Sequence, residues 1–370
     1  MYAFVGLRSA RESLRFLGDK ALDKPRWPQE PRVLPSEDLC VHNQRMFKQL
    51  CAETDLSSYG IRSRPVDLLT PSSAGRSRGK GASPHVWQRV IPSRSMVRTT
   101  NNVLVSGPEL ILMQMAGHHT KLDYLMDGFL EELRGGREVQ AMADEHGPTA
   151  LDHPLEWEKK AWLVVMALVA CEFSGTYRLP ASGGKTSFGV KPLMSRASAL
   201  AMLEQIPDLY AAARVRTALD LSFERSASPM ETALALMLSL PAEYGGYGIA
   251  RPELNPVLPT GECAALWEGG DVIHPDLYWE DANLVLEYDS DEEHANRGER
   301  KAADDATRSN VLVAMGKTVL RATTETVRSL GGMDRLARCV AVCLGTPLPE
   351  ADELTLLRRH KLHVLLTHPQ

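Results

Sequence analysis

The 370-residue sequence predicts an α/β (α+β) protein, with a hairpin in its last third and helices dominating what precedes it. Three observations carry this. Residues 274–289 read as two strands around the polar turn Glu280-Asp281-Ala282-Asn283, because aromatic and β-branched residues flank it on both sides. Helical runs bracket that hairpin. One opens at Ser228-Pro229-Met230-Glu231 with an N-cap serine and a first-turn proline, and one ends at Gly316. Upstream, the apolar run Ala161 to Cys171 falls far short of the roughly 20 residues that span a bilayer, so it reads as a buried helix.

The remaining elements follow in chain order. Met1 to Gly18 mixes Arg8, Arg11, Glu12 and Arg15 with apolar residues, an amphipathic pattern unlike a secretory segment. Short helices are expected to about Leu56, broken by the proline-rich stretch Lys24 to Pro35. Pro71 to Pro84 reads as an exposed loop, and Val86 to Val105 as short strands. Helices are expected over Pro108–Arg134, Trp157–Phe173, Arg196–Gln205 and Ala211–Ser222. After the hairpin come a helix from Glu299 to Met315, a strand from Lys317 to Thr323 and a helical stretch to Leu344. The segments are thus 1–100 with a basic loop, 101–224 mainly helical, 225–346 carrying the hairpin, and a tail over 347–370. Hydrophobic residues at 44% and charged residues at 24% exclude wholesale disorder. The chain is expected to be soluble and cytoplasmic.

Several motifs are set aside. The six cysteines, at 40, 51, 171, 263, 339 and 343, include no CxxC, and a disulfide framework does not suit a chain of this length and context. Cys339 and Cys343 are expected in the core. Cys40, His42 and Cys51 lack zinc-ligand spacing. Gly183-Gly184-Lys185-Thr186 lacks the first glycine and the leading strand of a phosphate loop, and His118, His119 and Asp123 lack a third ligand.

The net charge of −5 hides an asymmetry. Residues 61–100 hold eight cations, Arg62, Arg64, Arg76, Arg78, Lys80, Arg89, Arg94 and Arg98, against Asp67 alone. Residues 262–305 hold 14 acids against Arg297, Arg300 and Lys301. A basic part that follows phosphates and an acidic part that holds cations suit a metal-dependent nucleic-acid enzyme; a solvated loop and a solvated face account for the same charges.

The hairpin register sharpens the choice. If the turn closes symmetrically, Trp279 faces Leu284, Leu277 faces Leu286 and Asp276 faces Glu287. Alternation then puts the four apolar residues on one face and Asp276, Glu287 and Asp289 on the other. Directly opposed carboxylates repel unless a cation or proton lies between them, and hard oxygen donors suit Mg²⁺ or Mn²⁺.

This ordered series resembles the PD-(D/E)XK nuclease superfamily, most closely its very-short-patch-repair endonuclease-like group, over residues 225–345. The matching residues are Ser228 to Glu231, Asp276, Glu287-Tyr288-Asp289, His294, Asp305, Arg308, Leu312, Gly316 and Val319-Leu320-Arg321. The resemblance implies a restriction-endonuclease-like mixed sheet flanked by helices. Asp276, Glu287 and the Tyr288 carbonyl would hold Mg²⁺ (or Mn²⁺), with Glu231 and Asp289 supporting the metal or orienting water. His294 is either a proton relay or a structural neighbour. Arg308 and Arg321 contact phosphate or pin the acids. Two departures stand out: Ser290 replaces the usual glycine, and Asp289 replaces the signature lysine, for which Lys301 is a migrated candidate or a surface residue. The upstream half is loosely similar to abortive-infection, type IV toxin–antitoxin antitoxin-type proteins, through Val103 to Glu109 and Glu172 to Tyr177. That similarity implies DNA binding, mobile-element defence and a partner protein from the same operon.

Two functions of different class follow. One is a metal-dependent endonuclease acting on DNA, with Glu231, Asp276, Glu287, Asp289 and His294 as catalytic candidates and Arg76, Arg78, Lys80, Lys301, Arg308 and Arg321 on the nucleic acid. The other is a non-cleaving DNA-binding regulator that keeps the fold as scaffold.

Overall fold

The computed structural model describes residues 1–117, 154–181, 185–207, 209–266, 270–289 and 306–367. The protein is mixed α/β and divides into two units, Met1–Asp127 with Trp162–Glu224, and Gly128–Ala161 with Arg225–Gln370.

The first unit is built on a six-stranded mixed sheet. Its strands are β1 (Ala3–Val5), β2 (Arg26–Trp27), β3 (Val66–Thr70), β4 (Ala82–Val86), β5 (Met96–Arg98) and β6 (Val103–Ser106), in the order β2-β5-β6-β1-β3-β4. This corrects the expected mainly helical start. β1 is three residues long and wholly buried, and such a strand shows no alternation to read. Helix α1 (Leu7–Leu17) follows it directly and packs on β3, β6 and α3 (Pro108–Ala116). Because β6 pairs with β1, a boundary at residue 100 does not separate two bodies. Helix α2 (Gln44–Glu53) is capped by Asn43. Of the expected helix Pro108–Arg134, Pro108–Ala116 is observed; its remainder lies outside the described residues, as do His118, His119, Asp123 and Gly183-Gly184.

Helix α4 (Pro154–Ser174) carries the apolar run and, at its end, Glu172. That carboxylate is buried and accepts two bonds from Arg15, at 2.8 and 2.7 Å. Burial alone raises its pKa, but Arg15, with Arg11 and Arg178, outweighs burial and holds it below the ordinary carboxylate value. A short ribbon, β7 (Tyr177–Arg178) with β8 (Ser187–Phe188), and helices α5 (Arg196–Leu203) and α6 (Ala212–Leu221) complete the unit.

In the second unit, helix α7 (Pro229–Ser239) is followed by strands β9 (Glu253–Leu254), β10 (Leu258–Pro259), β11 (Val272–Ile273), β12 (Leu277–Trp279) and β13 (Leu284–Asp289). Helix α8 (306–314), strand β14 (Thr318–Thr323) and helices α9 (Thr324–Arg328), α10 (Leu330–Cys343) and α11 (Glu353–Thr367) follow. The main sheet runs β14-β13-β12-β9, with β13 antiparallel to β12 and parallel to β14. The pairs are Leu277 with Leu286, Tyr278 with Val285 and Trp279 with Leu284, the register that the symmetric turn requires. Asn283 has φ +49°, a left-handed turn position that asparagine tolerates, and Lys317 Nζ bonds its Oδ1 at 2.6 Å.

The second face of the hairpin differs from expectation. It is not polar throughout: Tyr278 and Val285 pack with Ile273 and with Leu312 of α8 in a small core. Acids occupy only the end of that face. Two further corrections concern the C-terminus. Residues 347–370 are no mere tail, since α11 buries Leu357, Leu362, Leu365 and Leu366 and contacts α7. Cys339 and Cys343 are exposed, because α10 turns Leu336, Ala337, Val340 and Ala341 inward instead; an apolar helix four turns long does not reveal which stripe is covered.

Leu286 is fully buried beside Leu277. Leu286→Ala is expected to cost about 2–5 kcal/mol through transfer and cavity terms, read as a lower urea midpoint, with the adjoining carboxylates left in place.

Candidate active site

Glu231 is the third residue of α7, and the local sequence explains its position. The Ser228 hydroxyl accepts the Glu231 N–H at 3.0 Å, while the Glu231 carboxylate turns back to accept the Ala227 N–H at 2.9 Å. This is close to the reciprocal bonding of a capping box. An N-terminal charge that suits the helix dipole describes only part of its role, since Glu231 is 6% exposed and feels the charge of Asp276.

Asn255 connects the two. Its Nδ2 donates to Glu231 Oε2 at 2.9 Å and to the Arg225 carbonyl at 3.0 Å, and its backbone N–H donates to the Asp276 carbonyl at 3.1 Å. It adopts φ +46°, which asparagine accepts more readily than most residues. The sequence reading missed this residue. Asn255-Pro256 signals a turn, but nothing local shows that the amide meets a carboxylate 24 positions earlier.

Asp276 stands immediately before β12, and Glu287 lies one step beyond the Leu277–Leu286 pair on β13. Asp276 Oδ2 accepts the Tyr288 N–H at 2.7 Å, which fixes the carboxylate against the neighbouring strand. The Tyr288 hydroxyl bonds Thr324 Oγ1 at 3.0 Å. Arg308 of α8 reaches the acids from the adjoining helix. Its Nη2 lies 3.0 Å from Glu287 Oε2 and 4.0 Å from Asp276 Oδ1, and it also donates to the His274 carbonyl. Arg308 Nε is buried with no hydrogen-bond partner among the described residues.

The electrostatics follow from crowding. Burial, then the charge of Asp276, pushes Glu231 up to about 7, against the hydrogen bonds from Asn255, Ala227 and Ser228. Burial and Asp276 likewise push Glu287 up to about 7, although Arg308 and Arg321 oppose the shift. Asp276 is thus the shared neighbour of two carboxyls that titrate near neutrality, the range in which a side chain exchanges protons usefully.

Asp289, at the end of β13, lies 3.7 Å from Arg321 of β14, and Arg321 also bonds Ser309. The structure therefore gathers Glu231, Asp276 and Glu287 with Arg308, and sets Asp289 with Arg321 farther along the same strands. Arg308 meets Glu287 and Asp276; Asp305, His294, Lys301 and Ser290 lie outside the described residues. Arg76, Arg78 and Lys80 are exposed on the loop between β3 and β4 of the first unit. A cavity of about 550 Å³, lined by Tyr247, Asp334, Arg338 and Arg359 among others, includes none of the three carboxylates.

All side-chain donors at the carboxylate cluster are hard oxygens, which suit Mg²⁺ or Mn²⁺ rather than a soft metal. Burial first, and then the charge of Asp276, raise both carboxyls, and at Glu287 Arg308 opposes the shift without cancelling it. Among the described residues, however, no three His, Cys, Asp or Glu side chains converge closely enough to hold an ion, and Arg308 lies against the two acids that would. No described helix is long and apolar enough to cross a membrane. Comparison with protein-family models, curated proteins and solved structures finds no match to the chain.

Stability should report the crowding. Glu231 and Glu287 hold protons in the folded state up to about 7 against an ordinary 4.5. Between those values the folded state binds more protons than the unfolded state, so stability falls as pH rises. The stabilisation is complete below the ordinary value and lost once pH passes the folded value. Urea midpoints are expected to drop across that window and level off above it, and Glu231→Gln should flatten the profile. An unchanged profile in that variant would show that Glu231 titrates normally.

Proposed function

We propose that the second unit is a metal-dependent endonuclease-like module acting on DNA phosphodiesters, with Asp276 and Glu287 as its Mg²⁺ (or Mn²⁺) pair and Glu231 beside them. The observation that carries the reading is the register. Pairing Leu277 with Leu286 buries the apolar face and leaves Asp276 and Glu287 adjacent at the sheet end, where the start of α7 adds a third carboxylate. The mixed four-stranded sheet, with α8 packed on one face, supports a restriction-endonuclease-like arrangement.

A divalent cation in such a place supplies a water of lowered pKa and offsets charge developing on the phosphate oxygens. The chain's own residues supply orientation and proton handling. The Tyr288 N–H holds Asp276 in position, and the resemblance adds the Tyr288 carbonyl as a further oxygen donor. Glu231, hydrogen-bonded by Ala227 and Asn255, is placed to hold or release a proton close to neutral pH. Arg308 and Arg321, each beside an acid, are the cations available to a phosphate. The exposed cations of the first-unit loop add affinity for the backbone. Under this reading the protein is cytoplasmic, acts on mobile-element DNA and works with a partner protein from the same operon.

One observation favours the second reading, a non-cleaving DNA-binding regulator. Arg308 already provides a positive charge to Glu287 and Asp276, and Asp289 stands where the signature lysine would be. In that case the acids and Arg308 form a self-contained ionic cluster, and the fold serves as scaffold.

Plasmid incubated with the protein and Mg²⁺ or Mn²⁺ separates the readings, with chelator as control. Nicking that Asp276→Asn and Glu287→Gln each abolish, together with loss of Mn²⁺ binding by calorimetry, is the expected result. Both substitutions remove charge at nearly constant shape, so melting should be preserved. Salt-dependent DNA binding without nicking by the wild type, under either metal, selects the regulator. Wild-type metal binding in both variants overturns the assignment of the pair.

A further inference from the structure

We infer that helix α2 and the loop between β3 and β4 form one basic face in the first unit, and that its partner is the phosphate backbone of duplex nucleic acid. The inference rests on the nucleic-acid reading above but not on cleavage, since binding and phosphodiester chemistry are placed in different units.

The loop is not a free arm. The Gln44 side chain, in the first turn of α2, donates to the carbonyls of Ser77 at 3.1 Å and Ala82 at 2.8 Å, and accepts the Gly81 N–H at 3.3 Å. The Gln44 N–H meets Ser77 Oγ at 3.3 Å, and Ser77 donates its own N–H to the His42 carbonyl at 3.3 Å. Two glycines permit this seat. A Cβ at Gly79 would come within 2.9 Å of Gln44, and one at Gly81 within 3.0 Å of Gln44 and Phe47. A solvated basic loop has no need of such close approach.

The pins fix where the charges stand. Arg76 and Arg78 flank Ser77, and Lys80 lies between the two glycines, so all three emerge beside Gln44. On α2, Lys48 is one turn beyond Gln44, hence on the same side of the helix, and Arg45 neighbours Lys48 at a spacing of three. All five cations are exposed. Across Pro71–Ala82 there is no acid, and on α2 only Glu53, in the last turn. Arg76, Arg78 and Lys80 occur at alternate residues, at most about 7 Å apart at Cα, a step comparable with that between consecutive phosphates of one strand. Arg62 and Arg64 are held differently, over the rings of Phe16 and Phe47, and are not counted in the face. The loop from Ser72 to Lys80 holds only Ser, Ala, Gly and cations, with no large apolar side chain to enter a lipid surface, which favours nucleic acid over membrane.

The test measures binding of the full chain to a labelled DNA duplex by fluorescence anisotropy over a series of NaCl concentrations. Each phosphate contact contributes roughly 0.9 to the salt slope. Arg45→Gln with Lys48→Gln is therefore expected to lower the slope by about 2, and Arg76→Gln, Arg78→Gln and Lys80→Gln together by about 3. Gln44→Ala leaves charge unchanged and is expected to weaken binding several-fold, which a diffuse charge effect would not produce. If the wild type binds and the Arg45/Lys48 variant keeps its slope, the joint face is wrong while the nucleic-acid reading stands. If Gln44→Ala binds as the wild type does, the pinned geometry is wrong. If the wild type shows no salt-dependent DNA binding but binds vesicles rich in anionic lipid, both this face and the nucleic-acid reading fall.

Discussion

The second unit depends on one constraint: the charge of Asp276 acts on two other carboxyls, the buried Glu231 and the partly buried Glu287. Asp276 is held in place by the hairpin register and by the Tyr288 N–H, and its charge, after burial, is the next largest influence on both Glu231 and Glu287. A chain selected for stability alone gains nothing from this crowding, because Glu231 and Glu287 lie in sites that disfavour their ionised forms. The surrounding structure nevertheless supports it in detail. Ser228 and Ala227 bond Glu231 from its own helix start, Asn255 links it to the strand, and Arg308 approaches from the opposite element.

The first unit offers a contrast within the same molecule. Glu172 is as deeply buried as Glu231, yet its carboxyl lies below the ordinary value while that of Glu231 lies above it. The difference is the partner. Glu172 receives both arms of Arg15, and Arg178 stacks nearby on Phe173, so its charge is matched and its place is structural. Glu231 meets neutral donors and another acid. Burial alone therefore does not mark a reactive group; burial beside uncompensated like charge does.

Arg308 links the chemical and the scaffolding readings of the site. It lies beside both hairpin acids and donates to the His274 carbonyl as well, but its buried Nε has no hydrogen-bond partner among the described residues. The guanidinium is thus tied to the acids through Nη2. Asp289 and Arg321, farther along the same two strands, make a looser pair at 3.7 Å.

The sequence by itself determined the local pieces whose signals are short-range. The Ser228-Pro229 helix start, the four-residue turn and the consequent pairing of Leu277 with Leu286 all follow from capping, turn chemistry and a period of two. So does the adjacency of Asp276 and Glu287, which is a matter of counting outward from the turn. Tertiary structure decided what no window of sequence contains. β1 is too short for periodicity to show, so the six-stranded sheet emerged only when β6 and β3 were seen beside it. Cys339 and Cys343 face outward because the covered stripe of α10 is chosen by its neighbours, not by its composition. Tyr278 and Val285 are buried because α8 returns over the hairpin, and Asn255 reaches Glu231 because a left-handed turn aims it there. Long-range placement of this kind depends on which surfaces meet, and side-chain pattern along one segment is silent about its partner.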